Sequence, residues 1–424
     1  MTHILDELAW RGLLAQTTDE QALREALSAG PVTVYCGFDP TAPSLHHGNL
    51  VQLILLRHLQ RAGHRVVALV GGATGMIGDP RMSGERVLND PATVAAWGER
   101  LRTQISQVLD FHGDNPATMV NNLDWTAGLS TIDFLRDVGK HYRLGTMLAK
   151  DTVARRLASD EGISFTEFSY QILQGMDYLE LFRRHGVTLQ TGGNDQWGNL
   201  LSGVELVRKA EHAVVHAMTT PLITKADGTK FGKTEGGAVW LAPDLMTPYA
   251  FYQFWVNTDD ADVMAYLRTF TFRSREEIVE LEAAVRERPA AREAQRVLAA
   301  DVTTLVHGAE ATSKVIAASQ ALFGRGDLAE LDEATLGAAV AELPRAEVVD
   351  LTGEGPLVVD LLAEAGLVAG RGAGRRAIGE GGVSVNNVRV SDPDAVLGRD
   401  QLLHGRWAVL RRGKRTLAVA ERRP

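Results

Sequence analysis

A short β-rich run, Val32–Tyr35, leads into a polar loop that carries Cys36, Asp39 and Thr41 and ends in His46-His47-Gly48-Asn49. Gly48 opens an apolar-periodic stretch, so the loop feeds a helix N-terminus, whose free N–H groups and partial positive charge suit a phosphate. The Thr41 hydroxyl and the His46 imidazole can hold polyphosphate oxygens, and a glycine lets a flat nucleotide approach the backbone. Read alone, the string is better taken as a capped loop with a core histidine. Much later, Lys230-Phe-Gly-Lys233-Thr234 sets two lysines three apart on a glycine-containing loop. They can clasp a pyrophosphate as mobile point charges, or form a solvated turn.

Three further clusters lie between these two. Gly71-Gly-Ala-Thr-Gly-Met-Ile-Gly-Asp79-Pro has four glycines in eight residues, so its backbone can run close to a ligand, and Asp79 can pair with an ammonium group. No Gly-Lys-Ser/Thr follows, so it is not a Walker motif. Tyr170, Gln174 and Asp177 are spaced i, i+4 and i+7 and share one helical face, as a polar stripe that needs partners or a ligand. Gln190-Thr-Gly-Gly193-Asn-Asp195-Gln196-Trp197 offers a carboxylate that can accept from two ribose hydroxyls, or a helix cap. All five clusters together, in this order, favour one nucleotide-and-amino-acid site over five unrelated turns.

The elements that must position them alternate in type. Strand-like runs at Val32–Tyr35, Arg65–Val70 and Thr118–Asn121 alternate with helix-like runs at Asn49–Arg61, Pro91–Phe111 and Thr166–Phe182. This order predicts βαβ units, a parallel sheet, and ligands at the carboxyl ends of its strands. The fold class expected is α/β: a Rossmann-like catalytic domain over 1–225, then a helical domain over 226–324, a linker over 325–355, and a small α+β domain over 356–424. The last contains two hairpin signals, around Asn386–Asn387 and Gly413.

The chain has 424 residues, a net charge of -9, and 45% hydrophobic and 23% charged residues. A single cysteine, Cys36, excludes an intramolecular disulfide and fits a reducing cytoplasm. No basic start followed by an apolar run opens the chain, and no stretch of 18 apolar residues occurs, so neither a signal peptide nor a membrane span is expected. The acidic total conceals an asymmetry. Residues 371–424 hold 12 Lys/Arg against 5 Asp/Glu, a basic tail on an acidic body that hints at RNA.

At the quoted motifs the chain resembles the bacterial tyrosyl-tRNA synthetases, a class I family. His46–Asn49 is similar to its HIGH signature, Lys230–Thr234 to its KMSKS loop, and the module after residue 355 to the RNA-binding fold of a ribosomal protein. The resemblance implies ATP-dependent ligation of L-tyrosine to tRNA(Tyr) through tyrosyl-adenylate, with Mg²⁺ carried on the ATP and no protein-ligated metal. It implies that Tyr35 and Asp177 hold the phenolic hydroxyl, that Tyr170, Gln174 and Asp79 hold the ammonium group, and that Gln196 lies near the carboxylate. Cys36, Gly37, Asp39, Gly48, Asn49, Gly193 and Asp195 would form the ATP site with His46 and Lys233. Thr41, His46, Lys230, Lys233 and Arg86 would stabilise the transferring phosphates. Phe165 would lie in a homodimer interface, and Arg208 and Lys209 would meet the tRNA acceptor stem. Two departures stand out: Asn49 replaces the final histidine of the signature, and the loop after Asp79 is short and lacks a lysine, with Arg81 as a substitute. The rival readings are a tryptophanyl enzyme of the same subclass and a non-catalytic RNA-binding protein on this scaffold.

Overall fold

The computed structural model describes residues 2–81, 84–229, 231–232, 237–349, 355–413 and 416–422. The chain forms two compact units, Met1–Met246 with Trp255–Val306, and Thr247–Phe254 with His307–Pro424.

The first unit is built on a six-stranded sheet of order β1-β6-β5-β2-β3-β4. Its strands are β1 (Gln16–Thr17), β2 (Thr33–Phe38), β3 (Arg65–Val70), β4 (Thr118–Asn121), β5 (Val187–Gly193) and β6 (His216–Thr220). All neighbours pair in parallel except β1, which runs antiparallel to β6 at the edge. Beyond Arg65, β3 is buried at every position, as a parallel strand covered on both faces should be. From β2 the chain winds outward through β3 and β4, then returns to place β5 on the other side of β2. The strand order therefore reverses beside β2, and the crevice at the carboxyl ends of β2 and β5 is where such sheets take ligands.

Local chemistry sets the helices that flank this crevice. The helix His47–Arg61 begins with a reciprocal cap: the His46 imidazole accepts from the Gly48 N–H at 3.0 Å, and the Asn49 side-chain oxygen accepts from the His46 N–H at 3.1 Å. The helix Pro91–Val108 starts from Asp90, with proline in its first turn. The helix Phe165–His185 starts from Ser164 and stops at Gly186, which adopts a left-handed φ of 62°.

The expected helical domain over 226–324 is divided between the units. Asp260–Phe270 and Arg275–Glu287 lie in the first unit, and the long run Glu293–Leu322 is interrupted at Gly308 (φ 86°, ψ 164°), beside the boundary. Helical periodicity marks apolar faces but does not say which core each face joins.

The second unit holds a five-stranded sheet of order β7-β11-β10-β8-β9, with strands β7 (Arg345–Val348), β8 (Val383–Val385), β9 (Val388–Arg389), β10 (Trp407–Arg412) and β11 (Thr416–Arg422). Alternate residues serve two cores. Ala408, Leu410, Ala418 and Ala420 face one, and Trp407, Val409, Leu417 and Val419 the other. The turn between β8 and β9 uses Asn386 and Asn387 with φ of 47° and 66°, as a two-residue hairpin turn requires. Segment 325–355, expected as a linker with room for a short helix, carries the helix Glu333–Val340 and, beyond that expectation, strand β7, which pairs in parallel with β11. Its elements are too short to show a period, yet Leu328, Leu336, Ala339 and Val340 are buried. Among the described residues, no helix is long and apolar enough to cross a membrane.

Candidate active site

Tyr35 lies within β2 and Asp177 in the fourth turn of the helix Phe165–His185. Both are buried, at 1% and 2% exposure. The Tyr35 ring packs on Tyr178 with centroids 5.3 Å apart, and its hydroxyl finds no hydrogen-bond partner among the described residues. Burial, reinforced by the charge of Asp177, holds that phenol well above its ordinary range, so it remains a donor. The Asp177 carboxylate accepts from Asn122 Nδ2 at 3.0 Å and Trp125 Nε1 at 2.9 Å. Burial nevertheless pushes its carboxyl up to about 7. Asn122 also accepts from the Ala73 N–H and donates to Thr74 Oγ1, tying the glycine-rich loop to Asp177.

Asp39 follows β2 and is bracketed from two elements. Thr74 Oγ1 donates to its Oδ1 and the Tyr170 hydroxyl to its Oδ2, both at 2.7 Å. Burial raises this carboxyl to about 6 against those two bonds. The glycines of the loop are required by packing here: a Cβ on Gly71 would collide with Asp39 Oδ1 and Thr74 Oγ1, and one on Gly72 with Asn121. The Thr41 N–H donates to the Asp39 carbonyl at 2.8 Å, which places the threonine beside the same crevice.

Asp79 forms a third acidic centre. Gln196 Nε2 and Asn199 Nδ2 each donate to its carboxylate at 3.0 Å, and Arg86 Nε donates to its carbonyl at 2.5 Å. Lys150 donates to the Asn199 side chain, and burial lowers its affinity for a proton while Asp79 opposes that effect. Gln174 Oε1, on the stripe with Tyr170 and Asp177, is buried without a partner among the described residues, as is Gln190 Oε1 on β5. Buried polar atoms of this kind need a partner, which a bound ligand or water can supply.

Among the residues expected to meet the nucleotide, Cys36 is buried, with its thiol pushed up to about 12 by burial, and its Sγ lies 4.0 Å from Gln52 Oε1. Gly37 lies on the same strand. Gly193 ends β5, and Asp195 follows in a single helical turn with its side chain exposed. Gly48 and Asn49 form the first turn of the helix His47–Arg61, where Asn49 closes the cap. Residues 45–47 also meet the segment after the two-lysine loop: His46 bridges to Trp240, and the His47 N–H donates to the Val239 carbonyl at 3.0 Å. Lys230 and Lys233 lie outside the described residues. Between them, Phe231 meets the His47 ring edge-on at 5.1 Å, and a Cβ on Gly232 would strike that ring.

The structure thus brings together Tyr35, Asp39, Asp79, Arg86, Tyr170, Gln174, Asp177 and Gln196, with the His46–Asn49 turn bordering the loop at Phe231. Phe165, Arg208 and Lys209 take no part in these contacts. Phe165 is 74% exposed, Arg208 pairs with Glu205, and Lys209 donates to the His141 carbonyl at 3.0 Å. Asn122, Trp125, Asn199 and Lys150 were given no role from the sequence. Asn122, Trp125 and Lys150 each act through a single side chain without a motif around it, whereas Asn199 follows directly on the Gln190–Trp197 cluster.

A family model described as tRNA synthetases class I (W and Y) matches residues 27–324. The chain belongs to this family. A second model, described as the tyrosine-tRNA ligase SYY-like C-terminal domain, matches residues 337–420, the greater part of the second unit. Among its relatives, the tyrosine-tRNA ligase of Streptomyces griseus subsp. griseus is 65% identical over 422 residues, 99% of each chain. That of Acidothermus cellulolyticus is 60% identical over 427 residues, covering 100% of both. A solved class I structure agrees in fold: the C-terminally truncated mitochondrial tyrosyl-tRNA synthetase of Coccidioides posadasii superposes with a TM-score of 0.66 at 32% identity, over 74% of this chain and 91% of that one.

Proposed function

We propose that the crevice at the carboxyl ends of β2 and β5 is where L-tyrosine meets ATP. The chain joins tyrosine to tRNA, as its full-length identity of 60–65% to tyrosine-tRNA ligases supports. The observation that carries the tyrosine reading is the Tyr35 hydroxyl, buried and unpartnered, whose nearby charges include the buried Asp177. A substrate phenol accepts from Tyr35 and donates to Asp177. Phenylalanine does neither and leaves both groups unmatched, which is costly in a buried site. Indole donates to Asp177 but offers Tyr35 no acceptor, so tryptophan fits less well. A non-catalytic RNA-binding role leaves the three acidic centres without a purpose.

In this reading Asp79, Tyr170 and Gln174 hold the substrate ammonium, with Asp39 close by, and Gln196 orients the carboxylate. Cys36, Gly37, Gly48, Asn49, Gly193 and Asp195 line the ATP side. The substrate carboxylate, already ionised, attacks the α-phosphorus. An O–P bond forms, the bond to pyrophosphate breaks, and no general base is required. The protein's part is positioning and charge stabilisation. Thr41, His46, Lys230, Lys233 and Arg86 are assigned to the departing pyrophosphate. ATP brings Mg²⁺ on its own phosphates. A terminal ribose hydroxyl of tRNA(Tyr) then attacks the adenylate and releases AMP. Arg208 and Lys209 are assigned to the acceptor stem, where phosphates must compete with Glu205 for them. The basic stretch 371–424, Phe165 in a homodimer interface, and a reducing cytoplasm for the lone Cys36 complete the proposal.

The test is tyrosine-dependent ATP–pyrophosphate exchange. Asp177→Ala is expected to lower kcat/KM for tyrosine about 100-fold or more, as loss of a charged, buried hydrogen bond implies. Near-normal exchange in that variant, or exchange driven better by tryptophan, would reject the assignment.

A further inference from the structure

We propose that Arg156 and Glu167, buried together beside the site, are positioning residues that hold the loop carrying Asp79 and Arg86 in its working shape. Each is only 1% exposed, and Arg156 Nη2 donates to Glu167 Oε2 at 2.9 Å. Ions buried this deeply are tolerated only when their remaining valences are filled. Here they are filled by the loop. Arg156 Nη1 donates to the carbonyls of Gly84 at 2.8 Å and Arg81 at 3.2 Å, and its Nε to the Gly162 carbonyl at 2.9 Å. The other carboxylate oxygen, Glu167 Oε1, accepts from the Arg86 N–H at 3.1 Å.

The consequence is directional. Residues 85–90 form neither helix nor strand, so the backbone there has no ladder of its own to fix it. Glu167 is on the helix that carries Tyr170, Gln174 and Asp177. The ion pair therefore fastens Arg86 to the same rigid element that presents the substrate stripe. Arg86 in turn donates to the Asp79 carbonyl, and Asp79 receives Gln196 and Asn199. A guanidinium is needed because one planar fork serves four acceptors, which an ammonium cannot do in the same geometry. Neither residue touches the crevice itself, so their effect passes through Arg86 and Asp79.

This inference rests on the assignment of Arg86 to the departing pyrophosphate, and the experiment separates the two. Arg86→Ala, Arg156→Lys and the double variant are compared in tyrosine-dependent pyrophosphate exchange, with kcat and both KM values measured. Arg156→Lys is expected to lower kcat about 10-fold with KM for tyrosine within about twofold, since small misplacements at a reacting centre act on rate. The double variant is expected to be no slower than Arg86→Ala alone, because residues acting through one another are not additive. Additive losses, or an unchanged kcat in Arg156→Lys, overturn the inference while leaving Arg86 in its role. An unimpaired Arg86→Ala overturns that role and the inference with it. If Arg156→Lys does not fold, Glu167→Gln carries the same cycle. It preserves side-chain volume and the acceptor for the Arg86 amide, so a loss in kcat that is non-additive with Arg86→Ala supports the positioning role and an additive loss rejects it.

Discussion

The Tyr170 hydroxyl donates to Asp39 across 131 positions of sequence, at 2.7 Å. That bond ties the end of a central strand to the face of the helix Phe165–His185. Thr74 adds the glycine-rich loop to the same carboxylate. Three of the five chemically suggestive clusters therefore share one half-buried acid. In the proposed reading, a substrate ammonium arriving there meets partners that are already oriented, and little reorganisation remains for the reaction to supply.

Replacing Tyr35 by phenylalanine separates stability from recognition. Among the described residues the hydroxyl is buried without a partner, so its removal should leave the melting temperature unchanged or raise it; an unsatisfied buried polar group costs about 1–3 kcal/mol. Tyrosine binding should weaken, with KM up by about 10-fold, and the preference over phenylalanine should shrink. Calorimetry and exchange kinetics on the same preparation decide it. A destabilised variant with unaltered KM would show that the hydroxyl serves the fold instead.

Acidity should govern the same pocket. Burial lifts Asp39 to about 6 and Asp177 to about 7, both above the 3.8 of an unconstrained aspartate. The folded free protein thus keeps protons that the unfolded chain has released. Its stability from these two groups is greatest at low pH and declines as pH rises from about 4 to about 7, levelling above that. Tyrosine use runs the opposite way, because an ammonium and a donating phenol both prefer ionised carboxylates. The value of kcat/KM should climb between pH of roughly 5.5 and 7.5 and then flatten, reporting the free enzyme's groups. A profile flat across that interval would remove both acids from recognition.

Assembly is tested at Phe165. Its ring is 74% exposed, and the stretch before it leaves Ile132, Leu144 and Leu157 at 68%, 66% and 50%. Large apolar side chains shown to water in such number fit a covered interface. Phe165→Asp should shift the proposed homodimer to monomer in sedimentation at micromolar concentration. An unshifted dimer would place the interface elsewhere.

Much of this site could be read before any coordinates, for a physical reason. Loops that approach a ligand need glycines, and polar stripes on apolar helices need partners, so Gly71–Asp79 and Tyr170–Asp177 announce themselves by composition. Strand β3 and the two C-terminal hairpins were equally plain from apolar runs and Asn–Asn or glycine turns. The segment 123–157 was not, because it folds as a chain of very short helical turns without a sustained period. It is there that Trp125, Lys150 and Arg156 reside. Arg156 follows another arginine and reads as solvated charge; only the fold reveals that it is among the most deeply buried side chains. Strand β7 was missed because four residues, Arg345–Val348, alternate too briefly to distinguish a strand from a tether.

The asparagine at position 49 has a wider implication. Its oxygen closes the start of a helix in partnership with His46, so the residue that breaks the family signature also completes the scaffold around it. A signature letter can thus be exchanged when the newcomer takes over an architectural duty. Surveys that insist on histidine there would discard chains whose capped helix start is fully formed.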